Sequence, residues 1–314
     1  MNHAAIEKTS FRGVLFRHIT ALIFRFFGKF LMELGKKNAR LTRLIRRAPR
    51  GFSLDSFEIN GFYCEMLIPD RAVEGKVILL LHGGAYIMGY ISPYRYNACR
   101  CAKKSGNVRV LSIDYRLAPE HPFPAALEDG ISAFKWLLEK GYPPDQIIIM
   151  GDSAGGGLAL AVSMALRDRG EAIPGALVLM SPWTDLPGEG SSHKEKYDVD
   201  PMFGKKAGGG SIASLLYTND KNLKNPYVSP AYGNFKGLPP MLIHVGEYEV
   251  LLSDSISVAD NATKEGIPVE FKIWKGMFHV FQMYYLLIPE AKQSVDRICR
   301  YMKEQFGLCS DDNF

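Results

Sequence analysis

A serine flanked by glycines is the residue in this sequence best placed for nucleophilic chemistry. It lies in the run Gly151-Asp152-Ser153-Ala154-Gly155, after an apolar run at 147–150 and before the helix-forming stretch LALAVSMALRDR. This strand, turn and helix context is what a nucleophile elbow requires, because the sharp turn lifts the hydroxyl above the sheet. Ser153 is therefore predicted to attack a carbonyl carbon.

A serine hydroxyl needs a base to take its proton and a carboxylate to orient that base. Among seven histidines, His279 follows the last predicted strand and precedes the last predicted helix. The base falls there when the chain order is serine, acid, histidine. His279 is the predicted base. His82 is interpreted as a loop-shaping residue, and the others lie in less suitable places: His3, His18, His121, His193 and His244.

The acid should follow a strand between Ser153 and His279. The apolar run 241–245 is that strand, and it leads into Glu247, Glu249 and Asp254. Glu249 is the first choice, with Glu247 and Asp254 left open as alternatives. The two acids that are not used would be solvated loop acids or acids at a helix N-terminus.

A glycine-rich loop follows another apolar run and reads His82-Gly83-Gly84-Ala85-Tyr86. Its small residues let backbone amides turn toward a ligand. The N–H groups of Gly83 and Gly84, with that of Ala154, are predicted to form an oxyanion hole that stabilises negative charge on a substrate oxygen. The alternative is a plain glycine turn after a strand.

Short apolar runs alternate with helical stretches from residue 77 onward. The runs lie at 77–81, 108–113, 147–150, 176–180, 241–245 and 269–274, and the helices near 123–140, 154–168, 253–265 and 289–306. This alternation predicts βα units on a mostly parallel sheet covered on both faces. A hairpin over 52–68 with an Asn60-Gly61 turn precedes them, and a glycine-rich, charged insertion spans about 186–225.

The N-terminal segment carries a continuous helical stripe of mostly apolar residues, and Arg12, Arg17, Arg25 and Lys29 lie off it. We expect the stripe to dock on the protein's own surface. Binding to an anionic membrane is the alternative. The stripe consists of Phe11, Val14, Leu15, His18, Ile19, Leu22, Ile23, Phe26, Phe27, Phe30, Leu31 and Leu34.

Charge and cysteine content exclude several classes of protein. The 314 residues carry a net charge of +5, but the first 50 hold twelve basic and two acidic residues, so the remainder is net acidic. The main domain is therefore not expected to bind nucleic acid. Five scattered cysteines without a CxxC pair suggest neither a disulfide framework nor a zinc site, and favour a reducing cytoplasm. Arg25 and Lys29 interrupt the most apolar N-terminal run, which argues against a membrane span.

Several motifs together resemble the hormone-sensitive-lipase family of esterases. HGGAY, YRLAPEHPFPAALED, GDSAGG, SPWTDL, NPYVSP and LIHVGE occur in that family's order, over roughly residues 76–300. The resemblance implies an α/β-hydrolase fold, with a catalytic domain over 51–314 and a helical cap formed by residues 1–50 and the insertion. It also implies ester hydrolysis without a metal or cofactor. Ser153, His279, Gly83, Gly84 and Ala154 match the family's site residues, whereas Glu249 stands where the family more often has Asp.

The leading hypothesis is a serine carboxylesterase that acts on short- to medium-chain esters, which are small molecules. A lactonase, an amidase or a deacetylase would use the same triad. A ligand receptor on the same fold is a further alternative, although both Ser153 and His279 are present. The larger partners considered are an anionic membrane, contacted weakly by the basic helix, and a second copy of the chain in a homodimer.

Overall fold

An eight-stranded, mostly parallel sheet forms the centre of the protein, which confirms the predicted α/β-hydrolase architecture. The computed structural model describes residues 8–44, 48–205, 211–218 and 222–308. The strand order is β1-β2-β4-β3-β5-β6-β7-β8, and all pairs are parallel except β1 with β2 and β2 with β4. The strands are β1 (Phe52–Ile59), β2 (Phe62–Pro69), β3 (Val77–Leu81), β4 (Arg109–Asp114), β5 (Ile147–Asp152), β6 (Ala176–Met180), β7 (Met241–Gly246) and β8 (Val269–Trp274).

Helices connect the strands and cover the sheet. They are α1 (Phe11–Leu44), α2 (Ser92–Lys104), α3 (Ala125–Glu139), α4 (Ala154–Asp168), α5 (Ser192–Glu195), α6 (Ser211–Thr218), α7 (Leu252–Lys264) and α8 (Pro289–Gln305). The sequence pattern did not predict α2. Its buried positions are occupied by small side chains and by Arg95, so α2 lacks a stripe of large apolar residues such as the one on α3.

Alternate residues of the central strands pack on opposite faces of the sheet. In β3, Val77 and Leu79 belong to the core that includes α3, α4 and α7, whereas Ile78 and Leu80 belong to the core that includes α2 and α8. Successive side chains of a strand point to opposite faces. The unbroken apolar run of β3 therefore reflects a strand that is covered on both sides.

The chain order reverses at β3, which has β4 on one side and β5 on the other. Loops that leave such a switch point at the carboxyl edge of a parallel sheet lie next to each other. Leu81, at the end of β3, is in register with Gly151 of β5. This arrangement places the glycine-rich loop after Leu81 beside Ser153.

Helix α1 packs on the domain through Gly13, Phe16 and Thr20, and it leaves several large apolar residues exposed. Gly13 and Thr20 are buried, and a Cβ atom on Gly13 would lie 2.6 Å from Met277 Cε. The expectation that the apolar stripe would be buried is therefore wrong for its exposed members, which are Phe11, Leu15, Leu22, Ile23 and Phe26. The small residues Gly13 and Thr20 favour this docking because they let the helix backbone approach the domain closely. Side chains at 27–34, the rest of the stripe, lie outside the described part of the structure, as does His3.

No helix in the described part of the chain combines the length and the apolar content needed to cross a membrane.

Candidate active site

Ser153 lies on a tight turn between β5 and α4. Its φ of 53° and ψ of −123° place it in a strained conformation immediately before the helix. The turn depends on its glycines: a Cβ on Gly151 would lie 2.2 Å from the carbonyl oxygen of Gly155, and a Cβ on Gly155 would lie 2.1 Å from that of Leu81. The predicted elbow therefore has the backbone geometry that exposes a serine hydroxyl at a helix N-terminus.

The structure joins His279 to one of the three candidate acids. His279 Nδ1 and Glu249 Oε2 are 2.9 Å apart, and both side chains are buried. His279 lies in the loop after β8 and Glu249 in the loop after β7. The structure shows no hydrogen bond between His279 and Ser153, both of which are described. Such contacts are often long in free enzymes and tighten in the complex with substrate.

Glu249 is held by two further donors. Its Oε1 accepts a hydrogen bond of 2.8 Å from the Ser181 hydroxyl and another from the Gly246 amide. The same Ser181 oxygen accepts a 3.3 Å hydrogen bond from the amide of Val280, the residue after His279. Ser181 therefore links the loop of the acid to the loop of the base. Ser181 was not among the predicted site residues, although it begins the SPWTDL motif.

The other two candidate acids have different partners. Glu247 accepts a 2.8 Å hydrogen bond from the Gly276 amide and so stabilises the turn before His279. Asp254 Oδ1 lies 2.7 Å from His193 Nε2, and its Oδ2 accepts hydrogen bonds from the amides of Thr184 and Asp185. Neither acid contacts His279.

Two of the histidines that were not chosen as the base, His244 and His82, are buried in the fold. His244 is fully buried and its Nδ1 lies 2.8 Å from the Ser294 hydroxyl oxygen; burial lowers its pKa to about 3. His82 is buried as well. Its ring stacks on that of Tyr115 at 4.2 Å between centroids, in keeping with the interpretation of a loop-shaping residue.

The glycine-rich loop requires one correction to the predicted oxyanion hole. The Gly83 amide already donates to Asp152 Oδ1 at 3.1 Å and to the Tyr94 hydroxyl at 2.9 Å. Gly83 therefore does not offer the free N–H group that was predicted. A Cβ on Gly83 would lie 2.4 Å from Asp152 Oδ2, so the glycine is needed for this close approach instead.

The next residues of the loop turn outward in left-handed conformations. Gly84 has a φ of +120° and Ala85 a φ of +56°. Within the described residues, the amides of Gly84 and Ala85 have no hydrogen-bond acceptor, and neither does the amide of Ala154 at the start of α4. The first N–H groups of a helix lack intrahelical partners, so Ala154 can donate to a ligand.

A pocket of about 390 Å³ opens at Ser153. Ala85 and Trp183 lie on its wall, and most of its other lining comes from the insertion, including His193, Tyr197, Phe203 and Leu215. None of the α1 side chains that the structure describes lines it. Phe203 also packs edge-on against His279, with ring centroids 4.7 Å apart. The insertion therefore contacts the predicted base directly.

Asp185, His193 and Asp254 form a group whose potential ligand atoms lie within 4.8 Å of one another. Each carboxylate is already used: Asp185 accepts from the Tyr232 hydroxyl and the Gly190 amide, and Asp254 binds His193 and two backbone amides. These hydrogen bonds join the insertion to the domain.

Comparison with known proteins identifies the family. A family model described as the alpha/beta hydrolase fold matches residues 78–283. The chain belongs to this α/β-hydrolase family. Among curated relatives of this hydrolase, an acetyl-hydrolase of Streptomyces hygroscopicus is 38% identical over 239 residues, covering 74% of this chain and 77% of the relative. An esterase of Acinetobacter venetianus is 36% identical over 234 residues, with the same shares of both chains.

Solved structures similar to this α/β-hydrolase include a hormone-sensitive lipase from a metagenome library. The TM-score is 0.86 with 35% identity, covering 95% of this chain and 100% of that one. The esterase EstE5, in crystals soaked with p-nitrophenyl butyrate, gives a TM-score of 0.84 with 36% identity over 95% of this chain and 99% of that one. The predicted resemblance to the hormone-sensitive-lipase family is confirmed.

Proposed function

We propose that this α/β-hydrolase is a serine carboxylesterase that cleaves short- to medium-chain esters of small molecules through an acyl-enzyme. Its membership of a family with esterase relatives makes it a carboxylic-ester hydrolase. The observation that carries the finer proposal is the 2.9 Å contact between His279 and the buried Glu249, beside a pocket that contains Ser153 on a nucleophile elbow.

In the proposed mechanism, Ser153 Oγ attacks the ester carbonyl carbon while His279 Nε2 takes the hydroxyl proton. Glu249 keeps the imidazole in the tautomer with Nδ1 protonated and stabilises the imidazolium that forms. The tetrahedral intermediate collapses, and His279 returns the proton to the leaving alcohol oxygen. Water then attacks the acyl-enzyme by the same sequence, which releases the carboxylic acid and restores Ser153.

We propose Gly84, Ala85 and Ala154 as the oxyanion donors. This shifts the loop pair by one residue relative to the sequence-based prediction, because the Gly83 amide is occupied by Asp152 and Tyr94. Ala85 lines the pocket together with Ser153. Preorganised N–H donors of this kind each contribute about 10²–10³ in turnover.

The pocket supports the proposed chain length. Its volume of about 390 Å³ is near the lower end of ligand pockets, which run from about 300 to 1,000 Å³. Most of its lining is apolar, so it suits an acyl group better than a charged one. We propose that the insertion acts as the cap that limits the acyl chain.

Purified protein assayed on p-nitrophenyl esters from acetate to palmitate tests the proposal, with Ser153→Ala as the key variant. We expect activity to peak at short or medium chains and to fall about 10⁶-fold in the variant. Ser163→Ala is the matched control, since Ser163 lies on the helix that follows Ser153 and bonds only to the Ala159 carbonyl. A serine-directed fluorophosphonate should label the native protein and not Ser153→Ala. A Ser153→Ala variant with more than a tenth of native activity would refute the assignment, and an unlabelled native protein would favour the receptor.

A further inference from the structure

The outer face of α1 is apolar at its centre. Phe11 and Phe26 are 81% and 66% exposed, and Leu15 and Leu22 between them are 42% and 55% exposed. These four residues are spaced by four, seven and four positions, which places them along one narrow face of a helix. We call them the α1 outer face. A contiguous exposed apolar surface of this kind marks a site of interaction with a protein or a membrane.

The orientation of this face is fixed by contacts on the opposite side of the helix. The Ser10 hydroxyl donates to Glu290 at 2.8 Å, and Arg17 donates to the Gly276 carbonyl at 3.1 Å. The Arg17 guanidinium also lies 3.9 Å from the centroid of the Tyr248 ring. The α1 outer face therefore cannot turn inward without breaking the contacts that hold the helix to the domain.

A second exposed apolar segment lies beside α1. Leu286 is 79% exposed and Leu287 is 47% exposed. The segment follows Tyr284, whose ring lies 6.0 Å from that of Phe16, and precedes Glu290, which binds Ser10. Both ends of the segment thus contact α1, so its two exposed leucines lie near the helix.

Positive charge surrounds this surface. Arg12 and Arg25 are exposed on either side of the α1 outer face, and the Arg100 guanidinium covers the ring of Tyr285 at 3.8 Å. The first 50 residues hold twelve basic and two acidic residues. A second copy paired through the same face would bring two such basic segments together, whereas anionic lipid headgroups would neutralise them.

We propose that the α1 outer face, with Leu286 and Leu287, docks on the surface of an anionic lipid bilayer. The apolar side chains enter the boundary between headgroups and acyl chains, and the flanking arginines bind the phosphates. This role is separate from the proposed hydrolysis, because no described α1 side chain lines the pocket.

Flotation of the full chain with vesicles tests the docking. Phosphatidylcholine vesicles with and without phosphatidylglycerol are compared, at low salt and in about 0.5 M NaCl, where exposed charges are screened. We expect binding only to the anionic vesicles and loss of most of it at high salt. The double variant Leu15→Gln/Leu22→Gln keeps the charge of the helix and should lower the partition coefficient at least about tenfold.

Ile212→Gln/Leu216→Gln is the matched control, because both residues are exposed on α6 and not on α1. It should bind vesicles as the native chain does, and Leu15→Gln/Leu22→Gln should retain activity on p-nitrophenyl butyrate, which separates this test from the proposed esterase. Equal binding to neutral vesicles, equal loss in both double variants, or no vesicle binding by the native chain would each overturn the proposal. The last result, together with a dimer that Leu15→Gln/Leu22→Gln dissociates, would assign the face to a second copy.

Discussion

Two histidine–carboxylate pairs lie close to the pocket, and they differ in what else the carboxylate holds. Glu249, the partner of His279, receives its other hydrogen bonds from Ser181 and from the Gly246 amide in its own loop. Asp254, the partner of His193, uses its second oxygen to hold the amides of Thr184 and Asp185 after β6. The first pair lies at the carboxyl edge of the sheet, while the second joins α5 of the insertion to α7.

A short histidine–carboxylate contact therefore does not by itself indicate catalysis. His279 lies in the loop after β8, at the sheet edge that also carries Ser153 on the elbow after β5. His193 lines the pocket but belongs to the insertion, and its partner is committed to the backbone. We infer that the first pair handles a proton and the second fastens the cap.

Replacing each of the two histidines by alanine should give the widest difference in kcat. His279→Ala should lower kcat by about 10⁶-fold, because base and nucleophile act as a unit. His193→Ala should change kcat by less than about tenfold and act mainly on KM, since it alters the pocket wall and no proton transfer. Steady-state kinetics on p-nitrophenyl butyrate measure both. Comparable losses of kcat in the two variants would contradict the assignment of different roles to His279 and His193.

The acids should separate in the same way. Glu249→Gln leaves the imidazole without its orienting carboxylate, which costs about 10⁴ in kcat. Glu247→Gln and Asp254→Asn are the matched controls and should each stay within about tenfold of the native kcat. All three are measured at one pH with the fraction of folded protein checked by circular dichroism. A large loss in either control and not in Glu249→Gln would move the acid to that residue.

Ser181 is expected to position Glu249, with a smaller effect. Hydrogen bonds to charged groups contribute about 1.5–3 kcal/mol, so Ser181→Ala should lower kcat by about 10–100-fold if the loss reaches the transition state. KM should stay near its native value, and Ser181→Thr, which keeps the hydroxyl, should recover part of the activity. A change confined to thermal stability would show that Ser181 only supports the fold.

The smallest effect concerns the stability supplied by His193. Burial lowers the pKa of His193, but the hydrogen bond to Asp254 and the negative charges of Asp254, Asp185 and Asp200 together outweigh burial and raise the pKa overall. A raised pKa in the folded state means that protonation stabilises the fold, and that this contribution is lost as pH rises through the folded pKa. The difference in Tm between native protein and His193→Gln should thus be largest near pH 6 and shrink toward pH 9. A contribution of about 1 kcal/mol corresponds to about 2–4 °C.

Thermal scans at several pH values test this effect, with His18→Gln as the control, because His18 is exposed on α1 and bonds only to the Val14 carbonyl. A native-minus-variant difference that does not vary with pH would show that the charge of His193 does not stabilise the fold.

The order of strands along the chain predicted the parallel core and placed the base after β8 and the acid after β7. It left Glu247, Glu249 and Asp254 open as the acid, and the contact with His279 favours Glu249, the first choice. It could not predict that the Gly83 amide is occupied. That outcome depends on Tyr94, which lies on α2, a helix whose small buried side chains give no periodic signal. A free amide can be recognised only once the neighbours that compete for it are placed.

The predicted orientation of α1 was wrong for a related reason. The stripe from Phe11 to Phe26 has the spacing of a buried face, yet the domain accepts Gly13 and Thr20 instead. Apolar periodicity shows that a helix has one apolar face. It does not show which surface that side meets, because close backbone approach can favour a face of small residues.

The edge-on packing of Phe203 against His279 should make kcat depend on the length of the ester's acyl chain. The same phenyl ring lines the pocket. An acyl chain long enough to displace this ring also removes the packing contact that the His279 imidazole makes with it. Selectivity among esters should then appear as a falling turnover number at saturation, and not only as weaker binding. Enlarging the pocket at Phe203 should admit longer acyl chains but loosen the orientation of His279. Enlarging it at Leu215 on α6 should admit longer chains and leave His279 in place.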